Sequence, residues 1–268
     1  MSTIVFDGDE TLWFSLHTYD GAMFEFLQYL HTVALPPHTP VNGDYTYHHY
    51  KKFESRNAEA VNPDTLEPWG IQRGSVAKSM VDTYHLVCWD IKRTRGIDVY
   101  DKEHERHIHD VIGDRPFDAS RHPWAPGAED MLDELSKSGH TLCVLTKYDQ
   151  DTWAGGRAAA LRVERFFKPE NVLAIHGRKT ADHFRQVSRA KRIKENGDFI
   201  TVGNSKDDLI MVTEEDDKAW RGFFVAIPTT SPIESESGEV PRLSSPPIKH
   251  PRVVTVKKVT DILDYLRA

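Results

Sequence analysis

Short apolar runs, each too brief for a helix, recur along this chain at Thr3 to Phe6, Thr141 to Leu145, Val172 to Ile175, Phe199 to Val202, Phe223 to Ile227 and Val253 to Val256. They are rich in branched and aromatic residues and lack a polar alternation, the pattern of strands buried on both faces. From the second run on, amphipathic stretches of helical length separate them, such as Ala158 to Phe167 and Ala181 to Lys194. Strand and helix in alternation predict an α/β fold, a parallel sheet with helices on both sides.

The first run ends at Phe6 and the second starts at Thr141, a gap far longer than a crossover needs. An inserted domain is expected there, with residues 15–117 set into a core of residues 1–14 and 118–268. Its pattern is helical. Ala22 to Leu35 carries apolar residues at Met23, Phe24, Leu27, Leu30 and Ala34, and Val76 to Trp89 and Glu103 to Ile112 read as further helices. Pro36, Pro37, Pro40, Gly43, Pro63, Pro68 and Gly70 divide it. Pro228 to Pro251, rich in Ser, Pro and Glu, reads as a long surface loop before a last strand and a short helix.

Composition excludes some classes. A 39% hydrophobic share with twelve Phe and six Trp describes a chain able to fill a core. No run reaches membrane-spanning length, and Met1 leads straight into a strand-like stretch, so neither membrane span nor secretory leader is expected. Cys88 and Cys143 are too few for a disulfide framework, and a cytoplasmic location follows as the expectation. A formal charge of −7 argues against a broad nucleic-acid-binding face. It leaves phosphate chemistry open, since one divalent cation and a Lys or two can set the potential of a cleft.

The sharpest local signal is Phe6-Asp7-Gly8-Asp9-Glu10-Thr11-Leu12, where the first strand should end. Ligands of open parallel sheets gather at the carboxyl ends of strands, so both carboxylates can serve one cleft. One can attack phosphorus while the other donates a proton to the leaving oxygen and later accepts one from water. Three more elements come after it in order. Thr146 and Lys147 close the second strand, a hydroxyl and an ammonium suited to phosphate. Lys179 precedes the stretch from Ala181, and Gly203-Asn204-Ser205-Lys206-Asp207-Asp208 comes after the fourth strand with oxygen ligands of the kind magnesium prefers. Singly, each could be an ordinary N-cap, surface Lys or acidic turn.

Together they resemble the haloacid dehalogenase superfamily, whose members show an Asp-x-Asp-x-Thr motif, then a Ser or Thr, then a Lys, then an acidic magnesium motif, each at the end of a core strand. The resemblance covers Thr3 to Leu12 and Pro126 to about Pro228, including Pro126-Gly127-Ala128 ahead of a helix. It implies a Rossmann-like core with a mainly α-helical cap inserted after the first motif, a cap that closes over the cleft and chooses the substrate. It implies further that Asp7 is a nucleophile forming an aspartyl-phosphate and Asp9 the general acid and base. Thr146 and Lys179 would bind the phosphoryl group. Mg2+ would be held by the Asp7 carboxylate, the Asp9 carbonyl and the fourth motif, where Asn204 stands in place of the more usual Asp and Asp208 matches the second acid.

The dehalogenase branch lacks the second Asp of the first motif, so Asp9 favours phosphate over halide. The expected partner is a small phosphorylated metabolite. Hydrolysis, phosphoryl transfer as in a mutase, and a non-catalytic binding role are three readings left open, as are the substrate and the oligomeric state. Two other features carry less weight. His104, His107 and His109 read as a solvated helix face rather than a zinc site, Tyr45 to Lys52 as a partly buried surface of the inserted domain rather than a stack for a base or sugar, and Trp69, Arg73 and Lys78 as residues that could face the substrate.

Overall fold

The structure, a computed structural model, describes residues 2–37, 39, 41–61, 73–118, 121–147, 161–175, 178–190, 198–226, 228–229, 242–243 and 248–267. Its strands are β1 (Ser2–Phe6), β2 (Thr141–Lys147), β3 (Val172–Ile175), β4 (Asp198–Gly203), β5 (Trp220–Val225), β6 (Pro228–Thr229), β7 (Arg242–Leu243) and β8 (Val253–Val256). Six of them form one parallel sheet in the order β3-β2-β1-β4-β5-β8. Phe6, at the end of β1, lies beside Val144 of β2 on one side and Val202 of β4 on the other. The carboxyl ends of the three central strands therefore meet. β6 and β7 make a separate antiparallel pair within the segment expected to be loop.

The chain divides into two compact units, Met1–Phe14 with His122–Ala268, and Ser15–Arg121. The second boundary falls at Arg121 rather than at 117. Phe117 is buried in the core of the inserted unit, and the Arg121 carbonyl is 3.1 Å from His17 Nε2 of the same unit, which keeps these residues with the helices.

The inserted unit is built from α1 (Leu16–Tyr29), α2 (Gly43–Glu59), α3 (Arg73–Arg95) and α4 (Lys102–His107). Wide π-type turns extend α1 through Leu30–Ala34 and α4 through Ile108–Ile112, so the expected helices are present but not uniformly α. Asn42 caps α2 by accepting from Asp44 N at 2.8 Å, and Asp101 caps α4 by accepting from Glu103 N at 2.7 Å. Val76, Met80, Tyr84, Val87 and Ile91 form one buried stripe on α3, at helical spacing, against Phe26, Leu30 and Tyr50.

Both faces of the sheet are covered. Ile4, Phe6, Leu142 and Val144 pack with Ala128, Met131, Leu132 and Leu135 of α5 (Ala128–Lys137). Their alternates Val5, Cys143 and Leu145 pack with Phe184 and Val187 of α6 (Ala181–Ala190). Period-two alternation sends neighbours to opposite faces, and burying each large side chain contributes about 1.5–3 kcal/mol. α5 stops in a Schellman motif: Gly139, at φ +80°, donates to Ser136 O, and His140 N donates to Leu135 O.

One expected helix is not found. Over Ala158 to Phe167, residues 158–160 lie outside the described residues, and the remainder holds a 3-10 turn at Val163–Arg165. Arg162 at φ +50° interrupts any helix there, while Leu161, Val163 and Phe167 still reach the core. Cys88 and Cys143 are buried free thiols, and burial pushes the Cys88 thiol up to about 11. Among the described residues no helix is long and apolar enough to cross a membrane.

Candidate active site

Asp7 is the first residue beyond β1, and its N–H donates to Val202 O at 2.8 Å, which ties the turn to the neighbouring strand. Gly8 O then accepts from Leu12 N at 2.8 Å, and the chain folds back tightly enough that Trp13 lies against Gly8. A Cβ on Gly8 would fall 2.2 Å from the Trp13 ring and 2.8 Å from Thr146 Oγ1, so glycine is required by close approach. Glu10 takes φ +58°, the left-handed conformation that this tight return demands.

The Lys179 ammonium donates to Asp7 Oδ1 and, at 2.6 Å, to Asp208 Oδ1. Asp208 Oδ2 accepts from Ser205 N at 2.9 Å and Ser205 Oγ at 2.7 Å, a capping box that starts the short turn after β4. Gly203 has to be glycine for this, since a Cβ there would stand 2.3 Å from Asp208 Cβ. Thr11 Oγ1 donates to Asp7 Oδ2 at 3.3 Å, and Trp13 Nε1 donates to Asp9 Oδ1 at 3.0 Å. Thr146 is fully buried, and its hydroxyl has no hydrogen-bond partner among the described residues.

Asp7, Asp208 and Lys179 are all buried, so two carboxylates share one cation. Burial pushes the Asp7 carboxyl up, the Asp208 charge adds to this, and Lys179 pulls against both, leaving it at about 7. For Lys179 burial acts downward, but Asp208 and Asp7 together hold it above the ordinary range, a fixed cation. The surplus negative charge is what a divalent cation would neutralise. The donors are oxygens, the type that magnesium takes, and magnesium commonly uses one or two carboxylates and completes its shell with water and substrate oxygens. Among the described residues no group of three His, Cys, Asp or Glu side chains forms a metal cage, and the Asp7 carboxylate with the oxygen donors of the turn after β4 suits magnesium without one.

The structure therefore brings Asp7, Lys179 and Asp208 into one cluster, with Thr146 against Gly8 and Asp9 beside it on Trp13. Half-buried Asn204 directly follows β4. Lys147 stands apart: strand alternation turns it from Thr146, its side chain is 49% exposed, and its ammonium faces Asp207 at 3.5 Å. Trp13 and Ser205 carry contacts that sequence reasoning missed. Ser205 had a signal, its place three residues before Asp208 in a capping-box pattern, whereas nothing local marks Trp13 as a partner of Asp9.

The whole chain superimposes on a haloacid dehalogenase-like family hydrolase from Xanthomonas campestris, with 15% identity, 91% of that chain covered and a TM-score of 0.64. It superimposes similarly on L-2-haloacid dehalogenase from Xanthobacter autotrophicus, at 13% identity, 99% of that chain and a TM-score of 0.60. The fold is that of the haloacid dehalogenase-like hydrolases. A third protein with this haloacid dehalogenase-like fold, the hydrolase YfnB from Bacillus subtilis crystallised with magnesium, matches the whole chain and 99% of its own at 14% identity and a TM-score of 0.56. No protein-family model matches the sequence, and no curated protein matches it by sequence.

His104, His107 and His109 of the inserted unit each make a local contact. His104 Nδ1 lies 2.9 Å from the Tyr29 hydroxyl, His107 stacks on the Tyr29 ring at 4.6 Å, and His109 pairs with Asp110. Tyr45 bonds to Asp90, Tyr50 is buried, Arg73 pairs with Asp114 and Lys78 with Asp82, while Trp69 lies outside the described residues.

Proposed function

We propose that this protein is a magnesium-dependent phosphatase acting on a small phosphomonoester, with Asp7 as nucleophile. The observation that carries the reading is the buried Lys179 ammonium held between Asp7 and Asp208. It fixes a cation beside the attacking carboxylate, where a phosphate dianion would otherwise be repelled.

An Asp7 oxygen attacks phosphorus, the bond to the ester oxygen breaks, and Asp9 gives its proton to that leaving oxygen. Asp9 then takes a proton from the water that attacks the aspartyl-phosphate, which releases inorganic phosphate and restores the Asp7 carboxylate and the protonated Asp9. The Trp13 indole fixes the rotation of the Asp9 carboxyl, and the buried Thr146 hydroxyl supplies a donor for the phosphoryl oxygens. Magnesium, when bound, screens the two anions that must meet and stabilises charge on the transferred group. Asp208 already accepts from Lys179 and twice from Ser205. Its part is to hold Lys179, which leaves Asn204 as the side chain of the fourth motif that would reach the metal, together with the Asp7 carboxylate and the Asp9 carbonyl.

Incubation with magnesium and an aryl phosphate, beside Asp7→Asn and a chelator control, tests the reading. Phosphate release that needs both Asp7 and metal supports it; release that survives Asp7→Asn refutes it. Phosphoryl transfer through the same intermediate predicts a second phosphoester as product instead of free phosphate, and a phosphorus spectrum of the products separates the two. Asp9, a proton carrier that displacement of halide from carbon does not use, is the reason to prefer phosphate over a haloacid.

A further inference from the structure

A second ion group is built from the chain neighbours of three residues at the site. Lys147 follows Thr146, Arg178 precedes Lys179, and Asp207 precedes Asp208. Arg178 Nε donates to Asp207 Oδ1 at 2.9 Å, and Lys147 Nζ lies 3.5 Å from Asp207 Oδ2. The Lys147 and Arg178 side chains are 49% and 67% exposed. The two layers have opposite balances. Among the described residues, Asp7 and Asp208 outnumber Lys179 in the buried one, whereas in the outer one Lys147 and Arg178 outnumber Asp207.

Exposed ion pairs contribute roughly 0–1 kcal/mol, so stability is a weak reason for two solvent-facing cations to converge on one carboxylate at the functional edge of the sheet. Binding is a better one. Asp207 neutralises one positive charge and keeps both cations extended towards each other, and one unit of charge remains for an anion from solution. A guanidinium fork beside an ammonium suits a carboxylate or a phosphate.

We propose that Lys147 and Arg178 form a second anion subsite, and that the substrate is a phosphomonoester whose alcohol part carries another anionic group. The inference rests on the phosphatase reading for the placement of the first phosphate. Chemically it selects acidic phosphorylated metabolites over phosphate esters with a neutral or cationic alcohol part. It also gives Lys147 a role at the edge of the site rather than on the transferred phosphoryl group.

Phosphonoacetate, 3-phosphonopropionate and 4-phosphonobutyrate, each against the alkylphosphonate of equal chain length, are titrated calorimetrically into the full chain with magnesium. At one spacer or more the carboxylated ligand should bind about 5- to 10-fold more tightly, the gain expected of one charge-assisted contact. The ratio should fall towards one in the Lys147→Ala, Arg178→Ala double variant and widen in Asp207→Asn, where both cations are released. Circular dichroism confirms that the variants are folded. Equal affinities at every spacer, or a preference that survives the double variant, overturn the subsite. Hydrolysis of an aryl phosphate is read separately. Asp7-dependent release without a carboxylate preference removes the subsite alone, preference without release removes the hydrolase reading alone, and neither release nor binding of any phosphonate removes both.

Discussion

Lys179 Nζ lies 2.6 Å from Asp208 Oδ1 while also bonding Asp7, so one buried ammonium joins residues from two separate strand ends. Breaking a buried ion pair from one side is costly because the remaining charges keep their desolvation penalty. Here two carboxylates would be left facing each other. Lys179→Met should therefore destabilise the metal-free protein by about 3–5 kcal/mol, and magnesium should restore part of the loss. Thermal denaturation with and without the metal checks this; an unchanged melting temperature would show that the pair does not hold the site together.

Asp7 gives a pH signature in the chelated protein. Its carboxyl is raised from 3.8 to about 7, so the folded state binds a proton more tightly than the unfolded state between those values. Its contribution to stability is full below about 4 and is lost as pH rises towards about 7. Histidines held below their ordinary range, His140 and His49, act in the opposite sense in part of this window. The test is thus the difference between wild type and Asp7→Asn. The variant should gain in melting temperature relative to wild type as pH rises from 5 to 7, by about 2–4 °C for each kcal/mol. A constant difference across the window would rule out the raised carboxyl.

Trp13→Phe separates packing from positioning. Phenylalanine retains most of the apolar contact with Gly8 and Trp124 but cannot donate to Asp9 Oδ1. With Asp9 as the proton carrier, kcat for an aryl phosphate should fall about tenfold with KM nearly constant, since the loss is in the transition state. A fall in melting temperature with kcat unchanged would make Trp13 purely structural.

Gly203→Ala tests the tightness of the turn that carries Asp208. The added methyl meets Asp208 Cβ at 2.3 Å, so the carboxylate must move or the strand end must shift. Overpacking of this kind costs about 1–3 kcal/mol and should also weaken magnesium binding, which calorimetry of the folded variant would read. A variant with wild-type stability and metal affinity would show that the turn has room to spare.

Much of the fold was legible because strand burial and helix amphipathicity are local patterns. Six apolar runs became the six strands of the parallel sheet, and the long gap became a helical unit, since each pattern is written within a dozen residues. Where a backbone conformation overrode the pattern, as at Arg162, the expected helix failed. The helices around Leu30 and Ile108 kept their apolar spacing but widened into π turns, a difference that periodicity cannot register.

By itself the sequence determined which residues stand at strand ends: Asp7 after β1, Thr146 and Lys147 closing β2, and the Gly203 to Asp208 turn after β4. Tertiary structure alone decided which of these meet. β1 lies between β2 and β4, an order that chain sequence does not dictate, and it brings Lys179 onto Asp7 across 172 positions. The same packing turned Lys147 outward to Asp207 and buried two carboxylates with one ammonium. Charge balance and desolvation depend on what surrounds a group in space, so the chemistry of the site became definite only when the strands were placed side by side.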